Sequence, residues 1–226
     1  WDRLSFDLRY PRVLGIWPAV VLLLAFSWIE LVYPSPAVPH HLACFAVGYS
    51  LLTWIGMVLF GRDDWLAHGE VFSVVFGTFA RFAPTQVLDG GETRQLWIRP
   101  YGAGLLESAS LSLTAFVLLL LSTVLFDGFL ATPGWSAIES SARSFLDANE
   151  SVVVILRTLG LVAFWAVFVG AYFGVAALMS AVTAGRLSVI GMARAFALTL
   201  VPIAIGYHVA HYCTVLLVQG QYIVPL

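Results

Sequence analysis

Lysine is missing from this sequence, and charge of either sign is scarce. All eleven basic residues are arginine, and charged residues make up 11% of the 226 positions. A soluble domain carries about 25% charged residues, because much of a folded surface has to be wetted. The net charge is −2, so nothing in the overall charge balance indicates a nucleic-acid partner, and we expect none.

Familiar catalytic signatures are missing as well. The chain contains no Walker A loop, Rossmann fingerprint, GxSxG elbow, HExxH or CxxC motif. Its two cysteines, Cys44 and Cys213, both lie in apolar runs, where they are expected to be small hydrophobic residues rather than a disulfide or a metal pair. The chain starts at Trp1 without a legible signal peptide, and we expect it to be part of a longer protein.

Apolar residues are abundant. They make up 60% of the chain, and the mean hydropathy is +0.91. A bilayer core is crossed by about 20 apolar residues in a helix. The sequence therefore predicts an all-α, polytopic transmembrane bundle that forms a single membrane domain with about five spans. These spans are residues 13–33, 42–60, 106–126, 152–179 and 192–218.

Two further segments have helical periodicity but interrupt it with charge. Residues 65–82 and 135–149 are predicted to be amphipathic helices that lie in the interface or dip into it. The polar stretch 87–104 is predicted to be an extra-membrane loop, in which Leu96–Pro100 forms a short strand or adheres to the surface. Within the spans, a kink is expected at Pro202. Close helix contacts are expected at the glycines Gly160, Gly170 and Gly174.

The arginines are distributed unevenly between the loops. With the N-terminus in the cytoplasm, nine arginines lie inside and one or two outside, as the positive-inside rule expects. We therefore predict a cytoplasmic N-terminus and an outer C-terminus for this chain. The nine are Arg3, Arg9, Arg12, Arg62, Arg81, Arg94, Arg99, Arg186 and Arg194, and the others are Arg143 and Arg157.

Two histidines lie three residues apart in the last span. On a helix, His208 and His211 can point the same way. An ionisable group inside hydrocarbon is a functional candidate because it needs a partner. The pair is predicted to bind a transition metal or haem, or to handle a proton or substrate. The alternative is a structural role, with hydrogen bonds to neighbouring helices or tyrosines. A metal would need a third ligand from elsewhere, with Glu30, Glu107, His40 and His41 as the candidates.

Four charged residues lie in or near the spans. They are Glu30, Glu107, Asp127 and Arg157. Each is expected either to extend to the headgroups or to join an intramembrane ion pair, for example Arg157 with Asp127 or Glu30.

Several segments resemble a family of bacterial polytopic membrane proteins that are labelled fenitrothion hydrolase-like. The resemblance lies in YPRVLGIWPAVVLLLAFSWIELVY, GRDDWLAHGEVFSVVFGTFARFAP, LLSTVLFDGF and VPIAIGYHVAHY, followed by GQYIVPL. It covers nearly the whole chain and corresponds to the central and C-terminal part of such proteins. It implies a location in the bacterial inner membrane.

Three functions are compatible with these features. The leading prediction is non-enzymatic: a subunit of a larger membrane complex, with protein partners in the bilayer, or a small-solute transporter. The second is a membrane-embedded, metal-dependent hydrolase of apolar phosphotriesters, which would use the histidines to activate water. The third is a redox subunit that binds haem or a metal.

Overall fold

The computed structural model describes residues 5–6, 8–89, 94–145, 150–183 and 185–223. These residues form an all-α helical bundle with one short β-hairpin. The helices are α1 (Trp17–Leu31), α2 (Pro39–Phe60), α3 (Arg62–His68), α4 (Val71–Ala80), α5 (Leu111–Leu130), α6 (Pro133–Phe145), α7 (Glu150–Val182), α8 (Val189–Phe196) and α9 (Val201–Gln219). The strands are β1 (Thr85–Asp89) and β2 (Arg94–Ile98).

Four helical segments are long and apolar enough to cross a membrane, which confirms the predicted class of protein. They are α2, α5, α7 and the continuous stretch from α8 through α9. The remaining expected span corresponds to α1, which has 15 residues and is about 22 Å long. The amide of Ile16 donates to Ser112 Oγ at 3.1 Å, and Trp28 Nε1 donates to Thr158 Oγ1 at 2.9 Å. These contacts hold α1 alongside α5 and against α7.

The core of the bundle is built on α5. In its most apolar window 61% of the residues are buried, against 11% in α2 and 6% in α7. Phe116, Val117, Leu118 and Leu119 have no exposed surface. α1, α7 and α9 pack around α5, so the outer surfaces of α2 and α7 remain for lipid.

The predicted helix 65–82 is two helices rather than one. It breaks at Gly69–Glu70, because the Glu70 carboxylate accepts hydrogen bonds from the amides of Phe72 and Ser73 and so caps a new helix. α4 then buries Val71 and Val74 in the cluster that α1 and α5 share. α4 therefore enters the bundle instead of lying along its surface.

Other boundaries differ from the predicted ones for local reasons. The third span begins at Leu111 rather than at 106, because Ser110 Oγ caps α5 by accepting from the amide of Leu113 at 3.1 Å. The fifth span is divided by a 3₁₀ turn at Ala197–Leu200, just before Pro202, where the kink was expected. α6 corresponds to the helix predicted at 135–149. The last four residues of that prediction, 146–149, lie outside the described ranges.

The predicted short strand is β2, which pairs with β1 in an antiparallel hairpin. Among the three glycines expected at helix contacts, Gly160 lies against the rings of Trp135 and Phe126. Gly170 and Gly174 have open space beside them in the described part of the chain.

α2 is attached to the bundle mainly at one end. The amides of Phe6 and Leu8 donate to the carbonyls of Val58 and Leu59, at 2.7 and 2.9 Å, and so satisfy two of the last carbonyls of the helix. Gly56 lies directly against the ring of Trp65 in α3. Nearer its start, α2 is separated from α1 by an apolar cleft of about 490 Å³.

This attachment predicts a position-dependent effect of adding one methyl group to α2. A Cβ at position 56 would lie 2.2 Å from a ring carbon of Trp65, so Gly56→Ala should destabilise the protein by about 1–3 kcal/mol through overpacking. Gly48→Ala is the matched control, because nothing lies within 4 Å of its added Cβ. Thermal unfolding in mild detergent checks this: equal melting temperatures for the two variants would contradict the contact.

Candidate functional site

A small cavity lies between α1, α5 and α9, and the polar side chains of all three helices converge on it. Its volume is about 50 Å³, which exceeds the 10–15 Å³ or so that one water molecule needs. We call the five ionisable side chains at this cavity the α9 polar site. They are Glu30 from α1, Asp127 from α5, and His208, His211 and Tyr212 from α9.

Each carboxylate of the α9 polar site contacts one side chain of α9. His211 Nδ1 lies 3.3 Å from Asp127 Oδ2. The Tyr212 hydroxyl donates to Glu30 Oε1 at 3.3 Å. The His211 and Tyr212 rings meet edge to face, with centroids 5.0 Å apart. The two pairs are therefore adjacent, and a proton taken up by one changes the electrostatic surroundings of the other.

His208 lies deeper in the bundle and is held by its own helix. Its Nδ1 is 2.8 Å from the carbonyl oxygen of Ala204, an acceptor, so Nδ1 carries the hydrogen and Nε2 is left as an acceptor or ligand. The Phe79 ring from α4 contacts the imidazole edge to face at 5.7 Å. His208 therefore connects the cavity to α4.

The α9 polar site lies toward one end of the bundle. Glu30 is one residue before the end of α1, and Asp127 is three residues before the end of α5. The side chains of Asp127 and His211 are 35% and 38% exposed. They are thus accessible from the end of the bundle where α1 and α5 terminate, while His208 is farther inside.

The predicted metal or haem site is not completed by a third ligand in the structure. Among the residues that the structure describes, no three histidine, cysteine, aspartate or glutamate side chains are grouped so that they could hold a metal ion. Of the proposed third ligands, Glu30 lines the cavity, whereas Glu107 pairs with Arg81 at the other end of the bundle. His41, at the start of α2, contacts the carbonyl of Ser35 at 3.3 Å. Metal or haem binding at His208 and His211 stays a prediction.

Arg157 does not contact Asp127 or Glu30, the ion pair that was one of the two alternatives for these residues. Arg157 Nη2 instead lies 3.3 Å from Glu139 Oε2, on the amphipathic helix α6. Glu139 also accepts from Trp135 Nε1 at 3.2 Å and contacts Arg143 at 3.3 Å. α6 folds back against α7, so it supplies a carboxylate closer to Arg157 than those of α1 and α5.

The sequence paired His208 with His211 and gave Glu30 as a candidate third ligand, but it did not place Asp127 beside them. Glu30, Asp127, His208 and His211 were each candidates, and Tyr212 was considered only as a neighbour of the histidines. Glu139 was missed, although its spacing of four residues from Arg143 is that of a helical ion pair.

A second polar pocket lies at the opposite end of the bundle, where α1 begins. Its volume is about 310 Å³, and its lining includes Arg9, Tyr10, Arg12, Asp64 and His68. Tyr10 stacks on His68 and donates to the carbonyl of Gly15 at 2.9 Å. Burial, with a smaller contribution from Asp64, raises the pKa of the Tyr10 phenol, so Tyr10 is a neutral hydrogen-bond donor there.

Comparison with known proteins does not assign this site. No protein-family model, curated protein or solved structure matches the chain. The geometry of the chain's own residues is therefore the basis on which its function is inferred.

Proposed function

We propose that this membrane protein is a transporter, or the transport subunit of a larger membrane complex, that moves protons alone or together with a small solute. The observation that carries the proposal is the α9 polar site. Two carboxylates, two imidazoles and a phenol from three helices surround a cavity large enough for water. Ionisable side chains inside a bundle are costly in hydrocarbon and commonly mark ion pathways or proton relays.

Breaks in two helices support transport. α4 begins at the break made by Glu70, and α9 begins after a 3₁₀ turn at Ala197–Leu200. The two broken segments meet where Phe79 contacts His208. In transporters, discontinuous helices place backbone and side-chain polar groups at a substrate site and can move relative to their neighbours.

The exposed apolar surfaces of α2 and α7 fit lipid and partner helices equally well. They are compatible with a complex subunit but do not favour it over a transporter that works alone. The α9 polar site is the more specific feature, so transport is the preferred function.

We further propose a bacterial inner-membrane location with a cytoplasmic N-terminus. Eight described arginines lie near the end of the bundle where α1 and α5 begin, and Arg143 and Arg157 lie toward the other end. This asymmetry supports the orientation through the positive-inside rule.

Fusions to green fluorescent protein test this orientation, because that protein becomes fluorescent in the cytoplasm. An insertion after Gly185 should fluoresce. A dark insertion after Gly185 together with a fluorescent insertion after Thr132 would reverse the orientation.

Proton movement through the α9 polar site can be measured directly. The full chain, with any partners that co-purify, is reconstituted in vesicles that contain a pH-sensitive dye, and a potassium gradient with valinomycin sets an inside-negative potential. The wild type should acidify the lumen, and Asp127→Asn should reduce the rate at least tenfold, because it removes the carboxylate that contacts His211.

Glu107→Gln is the matched control for this experiment. It also removes one carboxylate, but Glu107 lies with Arg81 outside the α9 polar site and should leave the rate unchanged. Wild-type vesicles that acidify no faster than protein-free vesicles, both alone and with a panel of small solutes added outside, would overturn the proposal. Equal rates for Asp127→Asn and the wild type would do the same.

A membrane-embedded hydrolase of apolar phosphotriesters is the second candidate, and the His211–Asp127 pair favours it. An imidazole held by a carboxylate can take a proton from a water molecule in the cavity. The resulting hydroxide would attack phosphorus as the bond from phosphorus to the phenolic oxygen breaks, and the imidazolium would return its proton to the departing phenolate. Purified protein should release a phenol from an aryl phosphotriester, and His211→Ala should reduce the rate of that release at least tenfold. If the wild type releases phenol no faster than a detergent blank, this function is rejected.

A further inference from the structure

The hairpin between α4 and α5 carries an apolar face. The register pairs Val87 with Leu96 and Thr85 with Ile98, so these four side chains lie on the same face. Val87, Leu96 and Ile98 are 60%, 70% and 78% exposed. We call these three residues the hairpin face. An isolated two-stranded hairpin with such a face is poorly stable in water, so another surface is needed to cover it.

The base of the hairpin is fixed to the bundle by Arg99. Its Nη2 donates to the carbonyls of Ala80 and Arg81 at the end of α4, at 3.1 and 3.2 Å. Its Nε donates to the carbonyl of Ala83 at 3.2 Å, and its Nη1 to Gln86 Oε1 at 3.0 Å. Arg99 therefore serves as a structural anchor, and its guanidinium is already satisfied by protein oxygens.

The bundle also holds the chain that follows the hairpin. Gly104 and Leu105 are buried, and Leu105 packs with residues of α5 and the turn before α9. The membrane helix α5 then begins at Leu111. Each strand has five residues, or about 17 Å, so the hairpin face stays within one strand length of the point where the bundle enters the bilayer.

Other exposed side chains near the hairpin fit the same environment. Tyr101 and Leu106, which follow β2, are 72% and 87% exposed, whereas Trp97, 57% exposed, lies on the opposite face and does not share this environment. Aromatic residues are enriched where a bilayer meets water, because their rings are amphipathic. Arg81 also lies here, paired with Glu107.

We propose that the hairpin face is a lipid-binding surface that lies on the bilayer in which the bundle is embedded. Val87, Leu96 and Ile98 enter the boundary between headgroups and acyl chains, and the opposite face, with Gln86 and Gln95, points to water. The anchoring by Arg99 favours this occupant over a distant partner, since it holds the hairpin at membrane level. This inference does not depend on the proposed transport function.

Neighbouring residues on opposite faces of β2 test the proposal. In a background with Cys44→Ser and Cys213→Ser, the variants Leu96→Cys and Gln95→Cys are labelled with an environment-sensitive fluorophore. The protein is placed in vesicles that contain lipids with a nitroxide at the top of the acyl chain. The label at position 96 should be quenched at least twofold more strongly than the label at position 95, because successive side chains in a strand face opposite ways.

Each other outcome counts against the proposal. Equal weak quenching at both positions would place the hairpin in water. A second copy of the chain would give a different pattern. The label at position 96 would be weakly quenched by lipid and shielded from a water-soluble quencher, and this shielding would disappear as the protein is diluted in lipid. Circular dichroism and gel filtration of both labelled variants establish that each is folded before the quenching is compared.

Discussion

Burial of α5 is the constraint on which the rest of this bundle depends. Lipid tails are as apolar as leucine, so helices in a membrane associate through close packing and polar contacts rather than through removal of apolar surface from water. α5 is enclosed by α1, α7 and α9, and Phe116 through Leu119 are fully buried. Its small polar residues, Ser112 and Thr123, face the same interior. The positions of the other helices follow from their contacts with this one helix.

Charged side chains are concentrated at the two ends of that packed core. At the end where α5 begins, Arg81 pairs with Glu107, and the Arg194 guanidinium donates to the carbonyl of Ala109. Toward the other end, Glu139 accepts from Arg157, and the α9 polar site combines carboxylates with imidazoles. The Arg81–Glu107, Arg194–Ala109 and Arg157–Glu139 contacts each join neighbouring segments of the bundle. The α9 polar site differs because two carboxylates, two imidazoles and a phenol from three helices line one cavity.

Apolar run length was sufficient to predict the class of fold, because a helix that spans hydrocarbon satisfies its own backbone and needs about 20 apolar residues. It did not predict the break at Glu70, since a carboxylate that caps a helix inside a bundle is indistinguishable in sequence from one on a polar face. The partner of Arg157 depends on how α6 folds back onto α7, which is a tertiary property. The histidine spacing identified the α9 side of the α9 polar site. That Glu30 and Asp127 face these histidines depends on how α1, α5 and α9 are rotated relative to one another, which the sequence does not show.

The one-sided attachment of α2 has a mechanical consequence. The helix is fixed near Gly56 by Trp65 and by the amides of Phe6 and Leu8, and its other end borders the apolar cleft beside α1. From Gly56 to Pro39 the helix is about 25 Å long, so a tilt of about 5° about Gly56 would displace its start by about 2 Å. Such a displacement would change the width of the cleft, and the ring contacts of His41 and Phe45 with Tyr33, just after α1, oppose it.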